Sequence, residues 1–201
     1  MTRLDTRLVD VLEPVRDVAV GEILETMATA LGEGADVHAE PMVRDANGRS
    51  LRDGALKLPR RADLRVVANG HALVRRVETE QRLAFDPVTM VAPNGFAAVF
   101  TPFDWDSCEI EVEPGASKPD WAPLRRWFLE WIQSRFTEVS PDLEGAVHSI
   151  EGPFDIPKGW RFSVDFGSAP VECIGDLMDA FAESGAARIR IGPRRHSVAE
   201  H

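Results

Sequence analysis

Among its 201 residues the chain has no tyrosine, two cysteines and three lysines. Without tyrosine, no phenolic group can act as an acid, a base or a stacking platform for nucleic-acid bases. Cys108 and Cys173 are too far apart in sequence to form the closely spaced ligand pairs of a zinc site, and we expect both to be buried, reduced thiols. We therefore expect no cofactor and no metal.

Long apolar runs are also missing. No stretch of about 18 apolar residues occurs, which argues against a membrane-spanning helix. Residues 1–14 carry charges throughout and lack the apolar region of a signal peptide. These two absences predict a cytoplasmic protein that does not bind membranes.

The net charge of −10 is unevenly distributed along the chain. Residues 1–40 carry −6, residues 41–82 carry +5, and residues 83–201 carry −9. An acidic chain is a poor general binder of nucleic acid, because contacts to phosphate need lysine and arginine. We therefore exclude nucleic acid as a partner, and expect the basic middle either to bind an anion or to pair with the acidic ends.

Four segments can be read from the patterns. Residues 1–35 predict an N-terminal helical segment, with Pro14 at the first position of a second helix within it. Residues 36–105 predict β-hairpins, whose turns are indicated by Asn-Gly pairs. Residues 106–192 predict an α+β unit, and residues 193–201 a polar tail. All four segments could form one compact domain.

The α+β unit has the order β-α-β-β-α-β, which is typical of a ferredoxin-like arrangement with two helices on one face of an antiparallel sheet. Right-handed connections place the first strand between the fourth and the third, antiparallel to both. An alternative is a duplicated ββα unit. The predicted strands cover residues 108–113, 146–151, 160–166 and 187–191, and the predicted helices about 119–136 and 169–185.

The first of these strands carries a glutamate at every second position: Glu109, Glu111 and Glu113. The same face of the neighbouring strands offers arginines: Arg161, Arg188 and Arg190. Cross-strand opposite charges stabilise a sheet, so we interpret the glutamates as members of ion pairs on a solvated face. A docking surface, or a divalent cation site formed with Asp104 and Asp106, remains as an alternative. A charged face of this kind lacks the aromatic residues with which such sheets stack RNA bases.

No catalytic residue is predicted. Ser168 precedes the second helix of the unit, where a serine is typical of an N-cap. His148 lies on a predicted strand without a second ligand at metal-binding spacing. No assembled nucleophile and base are visible in the sequence.

The leading hypothesis is a non-enzymatic module that binds a basic protein through an acidic surface. Its candidate partner-binding residues are Glu172, Asp176, Asp179, Glu183 and Trp127. The acidic residues occupy one face of the second predicted helix, and Trp127 lies at the edge of the apolar arc of the first.

The alternative hypothesis is a small-molecule binder or enzyme whose site lies between the β-rich segment and the α+β unit, since clefts between packed units are common ligand sites. The candidate anion-binding residues are Arg60, Arg61, Arg75 and Arg76. A third hypothesis is a homo-oligomer that associates through sheet edges or through Trp127.

Overall fold

The structure is a computed structural model, and it describes residues 4–92, 94–133 and 143–194. Helices and strands are mixed along the chain. The helices are α1 (Thr6–Gly32), α2 (Ala122–Trp131) and α3 (Glu172–Glu183). The strands are β1 (Asp36–Ala39), β2 (Arg52–Asp53), β3 (Leu58–Pro59), β4 (Leu64–Ala68), β5 (His71–Arg75), β6 (Val88–Val91), β7 (Ala97–Phe100), β8 (Cys108–Pro114), β9 (Ser149–Ile156), β10 (Gly159–Asp165) and β11 (Ala186–Pro193).

The main sheet has six strands in the order β6-β7-β11-β8-β10-β9. Strand β8 lies between β11 and β10 and is antiparallel to both, which confirms the position predicted for the first strand of the unit. Strand β9 pairs antiparallel with β10. The β6–β7 hairpin extends the sheet beyond β11, because β7 pairs parallel with β11. No pattern in the sequence predicts this extension.

Helices α2 and α3 pack on each other and bury their apolar faces against the main sheet. The contact is rich in aromatic rings: the Trp121 and Phe162 centroids are 5.0 Å apart, and those of Phe162 and Phe181 are 5.4 Å apart. Ile110 and Val112 of β8 point into the same core, as the alternation of apolar and acidic residues along this strand predicts. Strand β9, however, begins three residues later and ends five residues later than the predicted 146–151.

A smaller sheet has the order β1-β4-β5. Its β4–β5 hairpin turns at Asn69 and Gly70, both of which have positive φ, as the sequence predicts. Leu64 and Val66 of β4 pack with Val20 and Ile23 of α1 to form a second core. Strand β5 lies at the edge of this sheet, and its five residues are exposed.

Helix α1 joins the two cores. Leu8 and Leu12 of its first half belong to the core of the main sheet, whereas Val20 and Ile23 belong to the second core. The helix is continuous through Pro14, so the predicted break at this proline is wrong. The packing of both halves holds the helix together where the proline removes a backbone donor.

None of the described helices combines the length and the apolar character needed to cross a membrane. Two predicted boundaries are wrong: α2 ends at Trp131 rather than near residue 136, and β11 extends to Pro193, the first residue of the predicted polar tail. The rest of that tail, beyond Arg194, falls outside the described residues.

Pro14 provides a test of the continuity of α1. It is exposed and lies nine residues into the helix, where proline is about 3 kcal/mol less favourable than alanine. We expect Pro14→Ala to raise the free energy of unfolding by about 1–3 kcal/mol, measured by chemical denaturation. The neighbouring exposed substitution Glu13→Ala is the control and should change it by less than about 0.5 kcal/mol. A loss of stability in Pro14→Ala would show that the helix needs a bend at this position.

Candidate functional site

His148 is the centre of a fully buried polar cluster. It lies just before β9, and its backbone is fixed from two sides: its N–H donates to the Asp165 carbonyl (3.0 Å), and its carbonyl accepts from the Arg61 N–H (2.9 Å). The imidazole is therefore held between the end of β10 and the segment that leads into β4.

Glu40 occupies one side of this imidazole. Nε2 of His148 donates to Glu40 Oε1 (2.7 Å), which also accepts from the Ser168 hydroxyl (2.6 Å). The Glu144 N–H donates to the other oxygen. Glu40 has a φ of 47°, a conformation that side chains other than glycine seldom adopt. The network of hydrogen bonds offsets that strain and directs the carboxylate into the interior.

Two aspartates occupy the other side of the ring. Nδ1 of His148 lies 2.8 Å from Asp63 Oδ1 and 3.9 Å from Asp165 Oδ1. Backbone donors orient both carboxylates: the Val77 N–H donates to Asp63 (2.6 Å) and the Gly167 N–H to Asp165 (2.9 Å). Although the distance to Asp63 is short, Nδ1 has no well-aligned hydrogen-bond partner among the described residues.

These surroundings shift three pKa values. Burial alone would lower the pKa of His148, but the contacts with Asp63 and Glu40 and the charge of Asp165 raise it to about 10. Burial would raise the pKa of Glu40, but the hydrogen bond and charge of His148 lower it below its usual value. Burial, together with repulsion from Asp63, raises the pKa of Asp165 to about 6. At neutral pH an imidazolium therefore faces three carboxyl groups.

Arginines supply further positive charge around the cluster. Arg61 is largely buried, donates to the carbonyls of Glu40 and Ile132, and lies 2.6 Å from Glu144 Oε2. Arg76 lies 3.6 Å from Asp165 Oδ2. The two cations reduce the excess negative charge that the carboxylates bring into the interior.

A cleft of about 600 Å³ lies beside this cluster, between the 76–82 segment and the main sheet. Its charged lining consists of Arg76, Glu78, Arg82, Asp104, Asp106, Glu109, Arg161 and Arg194. Arg76 belongs to both regions, because it lines the cleft and donates to the Asp106 carbonyl (2.8 Å) while facing Asp165. It separates the cleft from the buried histidine.

The alternating glutamates of β8 are partly explained by ion pairs. Glu109 lies 3.7 Å from Arg161 and Glu111 lies 3.8 Å from Arg190, which confirms pairing with both neighbouring strands. The expectation of a fully solvated face is wrong at Glu109, which is 6% exposed and lines the cleft. The 76–82 segment lies across the cleft from it.

Two carboxylate oxygens in the cleft have no hydrogen-bond partner in the part of the chain that the structure describes. Asp106 Oδ1 and Glu109 Oε2 are buried and accept no hydrogen bond from the described residues. Burial raises the pKa of Asp106 above its usual value. Leaving such an acceptor unpaired costs about 1–3 kcal/mol, so these two atoms are positions at which a bound donor gains free energy.

Only one of the four arginines predicted to bind an anion lines the cleft. Arg76 is there, whereas Arg60 lies 3.5 Å from Asp53 and Arg61 is engaged in the buried cluster. Arg75 ends the exposed strand β5. The structure thus separates the four arginines.

The candidate partner-binding residues lie on α2 and α3. Glu172 and Glu183 are exposed, and Asp176 and Asp179 are partly exposed. Arg126 of α2 donates to Glu183 (2.7 Å), so part of this charge is paired. Trp127 is 3% exposed and its indole N–H donates to the Cys173 carbonyl (3.0 Å), which places it in the core rather than on a surface.

Both cysteines are free and buried, as expected. Burial raises the pKa of each thiol well above its usual value, which disfavours the reactive thiolate.

Ser168 is not the N-cap that the sequence predicts. Helix α3 begins after Val171, while the Ser168 hydroxyl donates to Glu40 and accepts from the Gly145 N–H (2.9 Å). Its proton is directed at a carboxylate rather than at an imidazole. The arrangement is therefore not that of a serine nucleophile with a histidine base.

Sequence reasoning missed the cluster. Glu40, Asp63, His148 and Asp165 are far apart in sequence, and none belongs to a recognisable motif. The available signals were single polar residues inside otherwise apolar stretches, such as His148 after Ala146 and Val147. Such signals do not show which residues meet.

Gly167 tests how tightly the cluster is packed. It has a φ of 53°, and a Cβ there would collide with the His148 ring and lie 2.6 Å from the Ala146 carbonyl oxygen. Gly48 also has positive φ (77°), but its Cβ would meet nothing within 4 Å. We expect Gly48→Ala to cost about 1 kcal/mol of backbone strain and Gly167→Ala at least about 2 kcal/mol more, because the imidazole must move. Chemical denaturation of both variants measures the difference, and equal losses would mean that the ring is loosely held.

The chain has no match among known protein families, curated protein sequences or solved structures.

Proposed function

We propose that the chain binds a small polar molecule in the charged cleft, and that this molecule carries an anionic group together with N–H or O–H donors. The observation that supports this most directly is that Asp106 Oδ1 and Glu109 Oε2 accept no hydrogen bond from any described residue, in a cleft that is also lined by arginines. A volume of about 600 Å³ falls within the range of small-molecule sites.

The arginines of the cleft differ in how firmly they are held. Arg82 donates to both oxygens of Asp104, and this contact raises its pKa. Arg161 is only loosely paired with Glu109 at 3.7 Å, and its side chain is 36% exposed. Arg161, with Arg76 and Arg194, is therefore better placed than Arg82 to receive a carboxylate or phosphate of the ligand.

The proposal is one of binding rather than catalysis. The buried Ser168 hydroxyl donates to Glu40, and the described residues of the cleft lining include acids and arginines but neither histidine nor cysteine. A ligand with an anionic group and N–H or O–H donors pairs with the arginines and with the two carboxylate oxygens of the cleft. A purely anionic ligand leaves the two carboxylate oxygens unpaired.

We also propose that β8–α2–β9–β10–α3–β11 is a ferredoxin-like unit. The strand order β11-β8-β10-β9 and the antiparallel pairing of each neighbouring pair support this classification. In this arrangement the face opposite the helices is the one that carries Glu109 and Arg161 into the cleft.

Native mass spectrometry and a thermal-shift panel test the ligand proposal. The panel pairs amino-acid or sugar-phosphate ligands with analogues that lack either the anion or the donors. We expect ligands with both groups to raise Tm, and Arg161→Gln and Glu109→Gln each to weaken binding about tenfold or more. Arg126→Gln, which removes an exposed ion pair on α2, is the matched control and should leave binding unchanged. The proposal fails if the cleft variants bind as tightly as the parent chain.

The acidic face of α3 supports a second proposal, namely docking of a basic protein segment. Its four carboxylates share one side of a helix and face solvent at least in part: Glu172, Asp176, Asp179 and Glu183. Complementary charge gives such a surface its specificity.

Charge-matched variants test this second proposal. We expect conversion of all four acids to amides to weaken binding of a lysine-rich peptide at least tenfold at about 0.15 M salt. The control converts four acids of α1, Asp10, Glu13, Glu22 and Glu25, and so changes the net charge by the same amount. If the α3 and α1 variants lose affinity for the peptide equally, binding depends on the net charge alone and the α3 face is not a docking site.

A further inference from the structure

The buried cluster presents three ligand atoms on the side of His148 that Glu40 does not occupy. Nδ1 of His148 and one carboxylate oxygen each from Asp63 and Asp165 all lie within 4.8 Å of one another. His148 is 0% exposed, and its Nδ1 is directed into this group without a well-aligned hydrogen bond from the described residues.

We propose that Asp63, His148 and Asp165 bind one divalent transition-metal ion of the zinc type. An imidazole nitrogen with two carboxylate oxygens is a ligand set that suits zinc and its neighbours in the first transition row. Calcium and magnesium prefer ligand sets composed only of oxygen atoms, and the histidine nitrogen does not fit such a set.

The surroundings of the three ligands match those of a metal-binding histidine. In such sites the second ring nitrogen usually donates to a carboxylate, which fixes the tautomer and the orientation of the ring. Here Nε2 of His148 donates to the Glu40 carboxylate (2.7 Å), which is itself oriented by the Ser168 hydroxyl. The Val77 and Gly167 N–H groups orient the two aspartates in the same way.

The distances require only small adjustments. Ligands that lie roughly 2.0–2.1 Å from a tetrahedral metal are about 3.3 Å apart. The observed separations from Nδ1, 2.8 Å to Asp63 and 3.9 Å to Asp165, fall on either side of that value. A modest rotation of the two carboxylates equalises them.

The charges also balance. Metal binding replaces the Nδ1 proton, which leaves to solvent, and the two aspartates neutralise the dication. The remaining carboxylate of Glu40 is stabilised by hydrogen bonds from Nε2–H of His148, the Ser168 hydroxyl and the Glu144 N–H. Three protein ligands leave one position of a tetrahedral site for a water molecule or another exogenous ligand.

Titration of the chelator-treated, full-length protein with Zn²⁺ tests the site. We expect about one equivalent to bind, and Asp63→Asn, His148→Gln and Asp165→Asn each to weaken binding at least a hundredfold. Glu40→Gln keeps all three ligands and should weaken binding about 10–100-fold. The control is His38→Gln, because the exposed His38 and Asp36, 3.2 Å apart, form the obvious adventitious site. Loss of the bound equivalent in the control alone would overturn the proposal.

A measurement on the unmodified chain covers the case in which the cluster variants do not fold. Nitrogen-15 NMR of the imidazoles follows each histidine ring during the Zn²⁺ titration. We expect one equivalent to shift Nδ1 of a solvent-protected histidine strongly and Nε2 of the same ring only slightly. If the first equivalent leaves that ring unchanged, or acts on Nε2 instead, the cluster does not bind the metal through Nδ1.

Discussion

The buried charge on His148 is the constraint on which the rest of the structure depends. An ion transferred from water to the interior costs several kcal/mol, and it is tolerated only with opposite charges and complete hydrogen bonding. Here Glu40 and Asp63 come from the N-terminal half of the chain, whereas Asp165 comes from the main sheet. The histidine is therefore neutralised only when the small sheet and the main sheet are packed together.

The cleft is a consequence of the same pairing. Arg76 follows β5 and contacts Asp165 and the Asp106 carbonyl, and this holds the 76–82 segment over the open face of the main sheet. Arg82 fixes the far end of the segment through Asp104. Glu109 of the sheet beneath is thus withdrawn from bulk solvent, which strengthens its interaction with any polar ligand.

Patterns within short segments of the sequence predicted the helices and strands that those segments form. The apolar faces of α2 and α3 and the alternation along β8 and β10 follow from periodicity within ten or so residues, and with right-handed connections they also predicted the position of β8. The cluster could not be predicted in this way, because residues 40, 63, 148 and 165 meet only in three dimensions. Ser168 shows the difference: its position suggested a helix cap, but a distant carboxylate, Glu40, takes its hydroxyl proton.

The number of carboxylates around His148 argues for a role beyond stability. One partner would neutralise an imidazolium, and an apolar replacement of the whole group is often as stable as a buried ion pair. The structure instead places three acids around one ring and accepts a positive φ at Glu40 to do so. Such an excess of negative charge suits a cation of higher charge than a proton, held by the two aspartates at Nδ1 while Glu40 fixes the opposite nitrogen. On this argument the imidazolium is the metal-free form of the cluster.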